Sequence, residues 1–242
     1  MTTSTTYLVA GANRGLGLGF ASTLAARPNT VVFATARDPS SATELAALAK
    51  KHSNVHILKL ETTSESDAAA AASEIKRLGH SHLDVVIVNA GVGHKASVLE
   101  TSLEDLLRIY KVNVGGVLVS FKAFYPLLKA SPTAAQKKFV AVTSMLGSNG
   151  LVEKFGQSGY GGYAAYGASK AGVNHIVGNI AIEHKDLIAL PIHPGHVATD
   201  MGGKDAPVSV KESIDGMLKV IDGATAADSG KFFSYDGTTL PW

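Results

Sequence analysis

A chain of 242 residues, 45% of them hydrophobic, can bury one sizeable core, and a single domain spanning residues 1–242 is expected. Acids and bases nearly balance at a net charge of +2 with no dense basic stripe, which argues against a nucleic-acid partner. The absence of cysteine excludes disulfides, thiolate metal sites and thiol catalysis, and makes a cytoplasmic setting the expectation.

In chain order, Met1 to Thr6 is short and polar, without the basic end or long apolar stretch of a signal peptide, and no apolar run reaches bilayer length. Short β-branched runs then alternate with longer Ala- and Leu-rich segments. The predicted strands are Tyr7 to Ala10, Thr30 to Thr35, Val55 to Leu58, Leu83 to Val88, Phe139 to Thr143 and Leu187 to Leu190, each buried on both faces. The predicted helices include Ala42 to Lys51, Ser66 to Leu78, Ser102 to Tyr110 and Ala164 to Lys185. Pro28 ends the first helix, Pro39 stands where the second begins, and Ser102 to Asp105 has the spacing of a capping box. This βαβ rhythm predicts an α/β fold, a doubly wound, Rossmann-type parallel sheet flanked by helices. Gly147 to Gly162 holds six glycines in sixteen residues, too many for a helix or strand, and is predicted to be a loop that closes over substrate. The nine histidines are scattered, without ligand spacing, and read as surface residues; no metal site is expected.

The first strand runs into Gly11-Ala12-Asn13-Arg14-Gly15-Leu16-Gly17, a glycine turn opening a helix. Glycines there permit a tight turn and let backbone N–H groups reach a diphosphate at a positive helix N-terminus. A strand-to-helix turn needs glycine in any case, so the position in a doubly wound sheet carries the argument. The second strand ends Thr35-Ala36-Arg37, where a site for an unphosphorylated ribose would offer a carboxylate. Arg37 and Arg14 instead suit a 2′-phosphate, pointing to NADP(H), although the neighbouring Asp38 could pair with Arg37 or bind a ribose hydroxyl itself.

Tyr166 and Lys170 stand one helical turn apart, and a cation beside a phenol favours the phenolate, moving it toward useful acid/base strength. Tyr166 can then protonate a carbonyl oxygen while hydride reaches the carbon. Ser144 follows a strand and can hydrogen-bond the same oxygen, or merely cap a turn. Asn113 is a poor helix former inside a predicted helix; a structural hydrogen bond or a water relay to Lys170 would each account for it.

These pieces, in this order along essentially the whole chain, resemble the short-chain dehydrogenase/reductase family. Pro194-Gly-His-Val-Ala-Thr-Asp-Met-Gly-Gly203 and Tyr235-Asp-Gly-Thr-Thr-Leu-Pro-Trp242 are most similar to its sniffer and C-factor type carbonyl reductases and norsolorinic acid ketoreductases. The resemblance implies a catalytic tetrad of Asn113, Ser144, Tyr166 and Lys170, with Lys170 also on the nicotinamide ribose. It implies that Gly11, Gly15 and Gly17 line the diphosphate turn and that Asn89, Ala90 and Gly91 lie beside the adenosine. Pro194, Gly195, Val197 and Thr199 would hold the nicotinamide carboxamide. Glu61 replaces the family's usual aspartate near adenine, and the Ser144 to Tyr166 gap is longer than usual. Met145, Leu146, Leu151, Val152 and Phe155 are expected to wall the substrate, with His94 and His196 at its rim. The expected partner is a small carbonyl compound, a bulky aromatic ketone by that resemblance, and neither nucleic acid nor membrane; a homodimer is compatible with the reading. A non-catalytic NADPH-binding sensor and an alcohol dehydrogenase working in the oxidative direction are the competing functions.

Overall fold

The computed structural model describes residues 4–133, 137–158 and 161–242. Its centre is a parallel sheet of seven strands: β1 (Thr5–Ala10), β2 (Thr30–Ala36), β3 (Val55–Lys59), β4 (Val85–Val88), β5 (Lys138–Val142), β6 (Ile188–His193) and β7 (Phe233–Ser234). They lie in the order β3-β2-β1-β4-β5-β6-β7. The winding direction reverses between β1 and β4, which opens a crevice beyond the carboxyl ends of those strands.

Because successive side chains point to opposite faces, each strand feeds two cores. Tyr7 and Val9 pack with Phe20 and Leu24 of α1 (Gly15–Ala25) and with Ile214 and Leu218 of α8 (Val210–Gly223). Leu8 and Ala10 pack with Phe121 and Phe124 of α5 (Gly116–Lys129) and with Val173 and Val177 of α7 (Ala164–Glu183). Burial on both sides is why the strand sequences read as unbroken apolar runs. The remaining helices are α2 (Thr43–Lys51), α3 (Glu65–Arg77), α4 (Leu103–Tyr110) and α6 (Val152–Gln157).

Several expectations change in detail. The second helix starts at Thr43, so Pro39 belongs to the preceding turn, where its carbonyl accepts the Ala42 N–H at 3.3 Å. Ser102 does cap α4, accepting the Asp105 N–H at 3.0 Å, but the Asp105 carboxylate takes the Ser102 hydroxyl at 2.9 Å, not the backbone N–H that would complete a reciprocal box. The stretch from 147 to 162 is not a plain loop. It contains two short 3₁₀ turns and α6, despite Gly156 within that helix. Tertiary contacts override its glycine content: Leu151 and Phe155 are buried, Ser148 Oγ donates to the Pro241 carbonyl at 2.7 Å, and Gly150 N–H donates to Trp242 O at 2.7 Å. Residues 159 and 160 of that stretch lie outside the described residues. Nor are all histidines on the surface, since His193 is 9% exposed and His56 and His80 pack around Phe33.

Among the described residues, no helix is long and apolar enough to cross a membrane, and no group of three or more His, Asp or Glu side chains is placed to hold a metal ion.

Candidate active site

The glycine turn sits in the crevice between β1 and β4. Gly11 has φ of 79°, a conformation that only glycine adopts without strain, and a Cβ there would lie 2.9 Å from the Ala90 Cα. A Cβ on Gly17 would fall 2.0 Å from the Gly11 carbonyl oxygen, so α1 can start this close to β1 only with glycine at that position. Two neighbours fix the turn. Thr35, fully buried at the end of β2, accepts the Gly11 N–H on its hydroxyl at 3.2 Å and the Ala12 N–H on its carbonyl at 2.7 Å; Asn89 Nδ2 donates to the Gly11 carbonyl at 3.0 Å. Asn13, Arg14 and Leu16 complete the turn, and the first turn of α1 contains no acidic residue and no side-chain cap. Its amide groups therefore form an electropositive cradle.

Both arginines expected to read a phosphate are already near carboxylates. Arg14 Nη1 lies 3.1 Å from Asp200 Oδ2, and Arg37 Nε lies 3.9 Å from Glu61 Oε2. Asp38, which the sequence offered as a partner for Arg37, is held instead by the N–H and hydroxyl of Ser40 at 3.0 and 2.6 Å. Glu61 also accepts long bonds of 3.4 Å from the Thr63 N–H and hydroxyl.

Asn113 is 1% exposed and sits in a π-helical segment, Lys111–Gly115, that joins α4 to α5, not in an ordinary helix interior. The extra residue in that turn re-aims its side chain, a recurring use of π-bulges. Its Oδ1 accepts the Val92 N–H at 2.8 Å, while Nδ2 donates to the Val92 carbonyl at 2.9 Å and to Ser169 Oγ at 2.8 Å. Ser169 in turn donates to the Tyr166 carbonyl at 2.7 Å. Of the two explanations open from sequence, the structural hydrogen bond is the one observed. It fixes Val92, the residue after Asn89-Ala-Gly91, against α7.

On α7, Tyr166 is partly buried as a residue, with its ring in the cleft wall beside Ser144. Burial pushes the phenol up to about 12, outweighing the neighbouring Ser144 hydroxyl, which lowers it. Lys170, 4% exposed, donates from Nζ to the Val142 carbonyl at 2.9 Å and lies 5.6 Å from the Tyr166 ring centroid. Burial brings its amine down to about 8. The phenol therefore lies above its ordinary value and not below it, as the neighbouring lysine alone would place it, because burial is the larger influence and the ammonium is turned toward a backbone carbonyl. Ser144 does cap a turn, accepting the Leu146 N–H at 3.2 Å, while also facing Tyr166.

A cleft of about 380 Å³ runs along these groups. Leu16, Ser144, Tyr166, Pro194, Gly195, Val197 and Thr199 line it, as do Met145, Leu146, His94 and His196. Leu151, Val152 and Phe155 do not: the first and last are buried under α6 and Val152 faces outward at 60% exposure. His196 at the rim is engaged with the Gly202 carbonyl at 2.7 Å. Lining residues that the sequence did not single out are Tyr163, Met201, Lys95 and His193. Tyr163 could have been read from its place one turn before Tyr166; Thr35 and His193 needed the sheet. A second cavity, of about 450 Å³ between α8 and β7, shares no lining residue with this cleft.

Residues 5–208 match the family model described as short chain dehydrogenase. The chain is 39% identical to the short chain dehydrogenase gsfK of Penicillium aethiopicum over 98% of this chain and 99% of that protein. It is 35% identical to the norsolorinic acid ketoreductase nor1 of Dothistroma septosporum over 98% and 92%. Among solved structures, NADPH-bound carbonyl reductase from chicken fatty liver superposes with a TM-score of 0.92 at 34% identity, covering 100% of this chain and 96% of that one. Carbonyl reductase Sniffer of D. melanogaster gives 0.90 at 29%, covering 99% and 100%.

Replacing Asn113 with alanine should strip the half-buried Val92 N–H and carbonyl and the buried Ser169 hydroxyl of their partner. Urea denaturation is expected to report a loss of about 1–3 kcal/mol; an unchanged midpoint would remove the clamp from the account.

Proposed function

Since the chain belongs to the short-chain dehydrogenase family, we propose that it is a carbonyl reductase that uses NADP(H) to convert a ketone into a secondary alcohol. The observation that carries this reading is that Tyr166 and Ser144 stand together in the wall of the cleft, with the buried Lys170 amine one turn along the same helix.

The dinucleotide would lie on the glycine turn. Gly11, Asn13, Gly15, Leu16 and Gly17 offer backbone to its diphosphate, and Arg14 and Arg37 offer charge to its 2′-phosphate. Glu61, Asn89, Ala90 and Gly91 would border the adenosine. Pro194, Gly195, Val197 and Thr199 would border the nicotinamide, with Lys170 near its ribose. The sterically closed turn at Gly11 and Gly17 and the uncapped N-terminus of α1 support this fit. When bound, the reduced cofactor supplies the hydride.

This chain's own residues handle the carbonyl oxygen. With its pKa near 12, Tyr166 keeps its proton at neutral pH and has it ready to donate. Ser144 Oγ, seated by the Leu146 N–H, offers the same oxygen a second hydrogen bond. Lys170, still mostly protonated at neutral pH, keeps a positive charge beneath the phenol and stabilises the phenolate left when the proton departs. Asn113 acts at one remove as a positioning residue, through Ser169 and the Tyr166 carbonyl. Met145, Leu146, Tyr163 and Met201 make much of the cleft apolar, which supports a bulky aromatic ketone as substrate.

The direct test is loss of NADPH absorbance across a panel of ketones, aldehydes and quinones; silence on all of them would return the chain to a binding role. With an active ketone in hand, Tyr166→Phe should abolish most turnover while leaving NADPH affinity nearly unchanged, measured by steady-state kinetics and by calorimetric titration. A Phe variant with wild-type turnover would remove Tyr166 as the proton donor.

The rate of reduction should also depend on pH through Lys170. Its pKa is lowered to about 8, so the charged form exists below that value and is lost as pH rises through it, whereas the phenol holds its proton far beyond. The pH–rate profile should therefore fall off on the alkaline side near pH 8, and a profile level through the alkaline range would count against this role for Lys170.

Arg37→Ala should lower the preference for NADPH over NADH roughly tenfold, the lower end of what a hydrogen bond to a charged group contributes, because this arginine is largely exposed. The ratio of kcat/KM for the two cofactors measures it.

A further inference from the structure

His193 is the last residue of β6 and lines the cleft together with Ser144 and Tyr166. Strand alternation fixes where it points. Ile188, Leu190 and Ile192 enter the core on the α1 and α8 side, while Leu187 and Ala189 enter the core on the α5 and α7 side. His193, odd-numbered in the same strand, therefore faces α7, the helix that carries Tyr166 and Lys170. The neighbouring strand brings Thr143 alongside: its N–H donates to the Ile192 carbonyl at 2.8 Å and its hydroxyl to the Lys170 carbonyl at 3.3 Å. On the other side, the His193 carbonyl accepts the Tyr235 N–H at 2.8 Å, so its backbone is held from both neighbours.

The ring is not held in the same way. His193 is 9% exposed, and its Nδ1 is fully buried with no hydrogen-bond partner among the described residues. Buried polar atoms in folded proteins nearly always have a partner, and one left without, on a side chain that lines a reaction cleft, leaves a hydrogen bond for a ligand to supply once the ring turns to meet it. We infer that His193 is a specificity-determining residue, whose imidazole hydrogen-bonds a hydroxyl group carried by the ketone substrate near its carbonyl.

Burial, the main influence on this group, brings the imidazole down to about 4; Asp236 raises it and His196 lowers it. The ring is thus neutral at ordinary pH, with one donor and one acceptor nitrogen. A carboxylate or phosphate on the substrate would meet no positive charge on this ring. A hydroxyl both donates and accepts, so it satisfies Nδ1 in either tautomer. The ketone oxygen is not the partner in question, since Ser144 and Tyr166 already face it under the carbonyl reductase reading on which this inference rests.

The test uses an aryl ketone and its ortho- and meta-hydroxy analogues with the wild-type enzyme, His193→Phe, which keeps a ring but no nitrogen, and His193→Asn, whose amide places a polar atom close to the Nδ1 position. The wild type should favour the better hydroxylated analogue over the parent by roughly tenfold in kcat/KM, a modest gain for a site that bonds a substrate hydroxyl. His193→Phe should abolish that preference, chiefly through a rise in KM for the hydroxylated analogues. His193→Asn should restore part of it. Equal loss on all three ketones, a wild type without preference, or an effect confined to KM for NADPH would overturn the assignment.

A measurement on unmutated protein makes the test independent of how the variants fold. In enzyme labelled with 15N-histidine, the Nδ1 resonance of His193 should move when a non-reducible hydroxylated inhibitor is added and stay in place with its deoxy counterpart; identical responses would also overturn the assignment. Turnover of the unsubstituted ketone by wild type reads the carbonyl reductase proposal separately, so that proposal can stand while the His193 assignment falls.

Discussion

Three segments of chain meet at the side chain of Asn113, and the geometry of the cleft depends on that meeting. One amide satisfies both backbone groups of Val92, just past the carboxyl end of β4, and reaches Ser169 on α7. The π-helical turn that carries it costs helical regularity between α4 and α5, yet it brings a short polar side chain into a place where an ordinary turn would direct it elsewhere. Asn113 and Ser169 are buried and Val92 is half-buried, so these bonds form where water competes poorly and the arrangement is held as a unit. The crevice edge and the face bearing Tyr166 are thereby fixed relative to each other without either being rigid alone.

Burial also governs the ionisable groups, in a direction opposite to simple pairing. A phenol and an ammonium one turn apart suggest a mutual pull toward phenolate, but the sheet covers both from water and Lys170 spends a hydrogen bond on the Val142 carbonyl. The outcome is a neutral phenol above a lysine whose charge is only modestly stable. That state suits a proton donor better than a base: it matches the protonation required at the start of carbonyl reduction, while the retained ammonium favours the charge that appears on the phenol as its proton leaves.

The legibility of the sequence follows the same physics. Strands buried on both faces leave continuous apolar runs, so six of the seven were found to within a few residues at each end, and β7 was missed because two residues carry no periodicity. The reading did not single out α5 or α8, and α5 contains Pro126, which works against a helical reading. The glycine turn and the Tyr166–Lys170 pair were visible because backbone crowding and helical spacing are local properties. By contrast, α6 forms because Ser148 and Gly150 are tied to Pro241 and Trp242, some ninety residues away, and no local pattern reveals such a tie. The same holds for Thr35 and His193. Their parts in the site come from neighbouring strands, and a lone histidine in a scattered set of nine looks like surface.

Long-range contacts alter the meaning of the two arginines as well. Arg14 and Arg37 were read as groups for a phosphate, with Asp38 the one carboxylate offered to Arg37, but the carboxylates that stand near them are Asp200 on the segment after β6 and Glu61 after β3. An anion arriving at the proposed cofactor site therefore exchanges partners. Arg14 and Asp200 are 72% and 81% exposed, and pairs of that kind contribute at most about 1 kcal/mol. A charge-assisted bond to a phosphate contributes about 1.5–3 kcal/mol, so the exchange still favours the phosphate. The segment that includes Thr199, Met201 and Gly202, all on the cleft, does not depend on that pair: the Gly202 N–H donates to the Thr199 hydroxyl at 3.2 Å, the Gly203 N–H to the Thr199 carbonyl at 2.9 Å, and the Gly202 carbonyl engages His196 at 2.7 Å. The ion pair is thus the weakest of the ties between the end of the crevice that would recognise the phosphorylated ribose and the wall that would enclose the ketone, and the one a phosphate can displace at least cost.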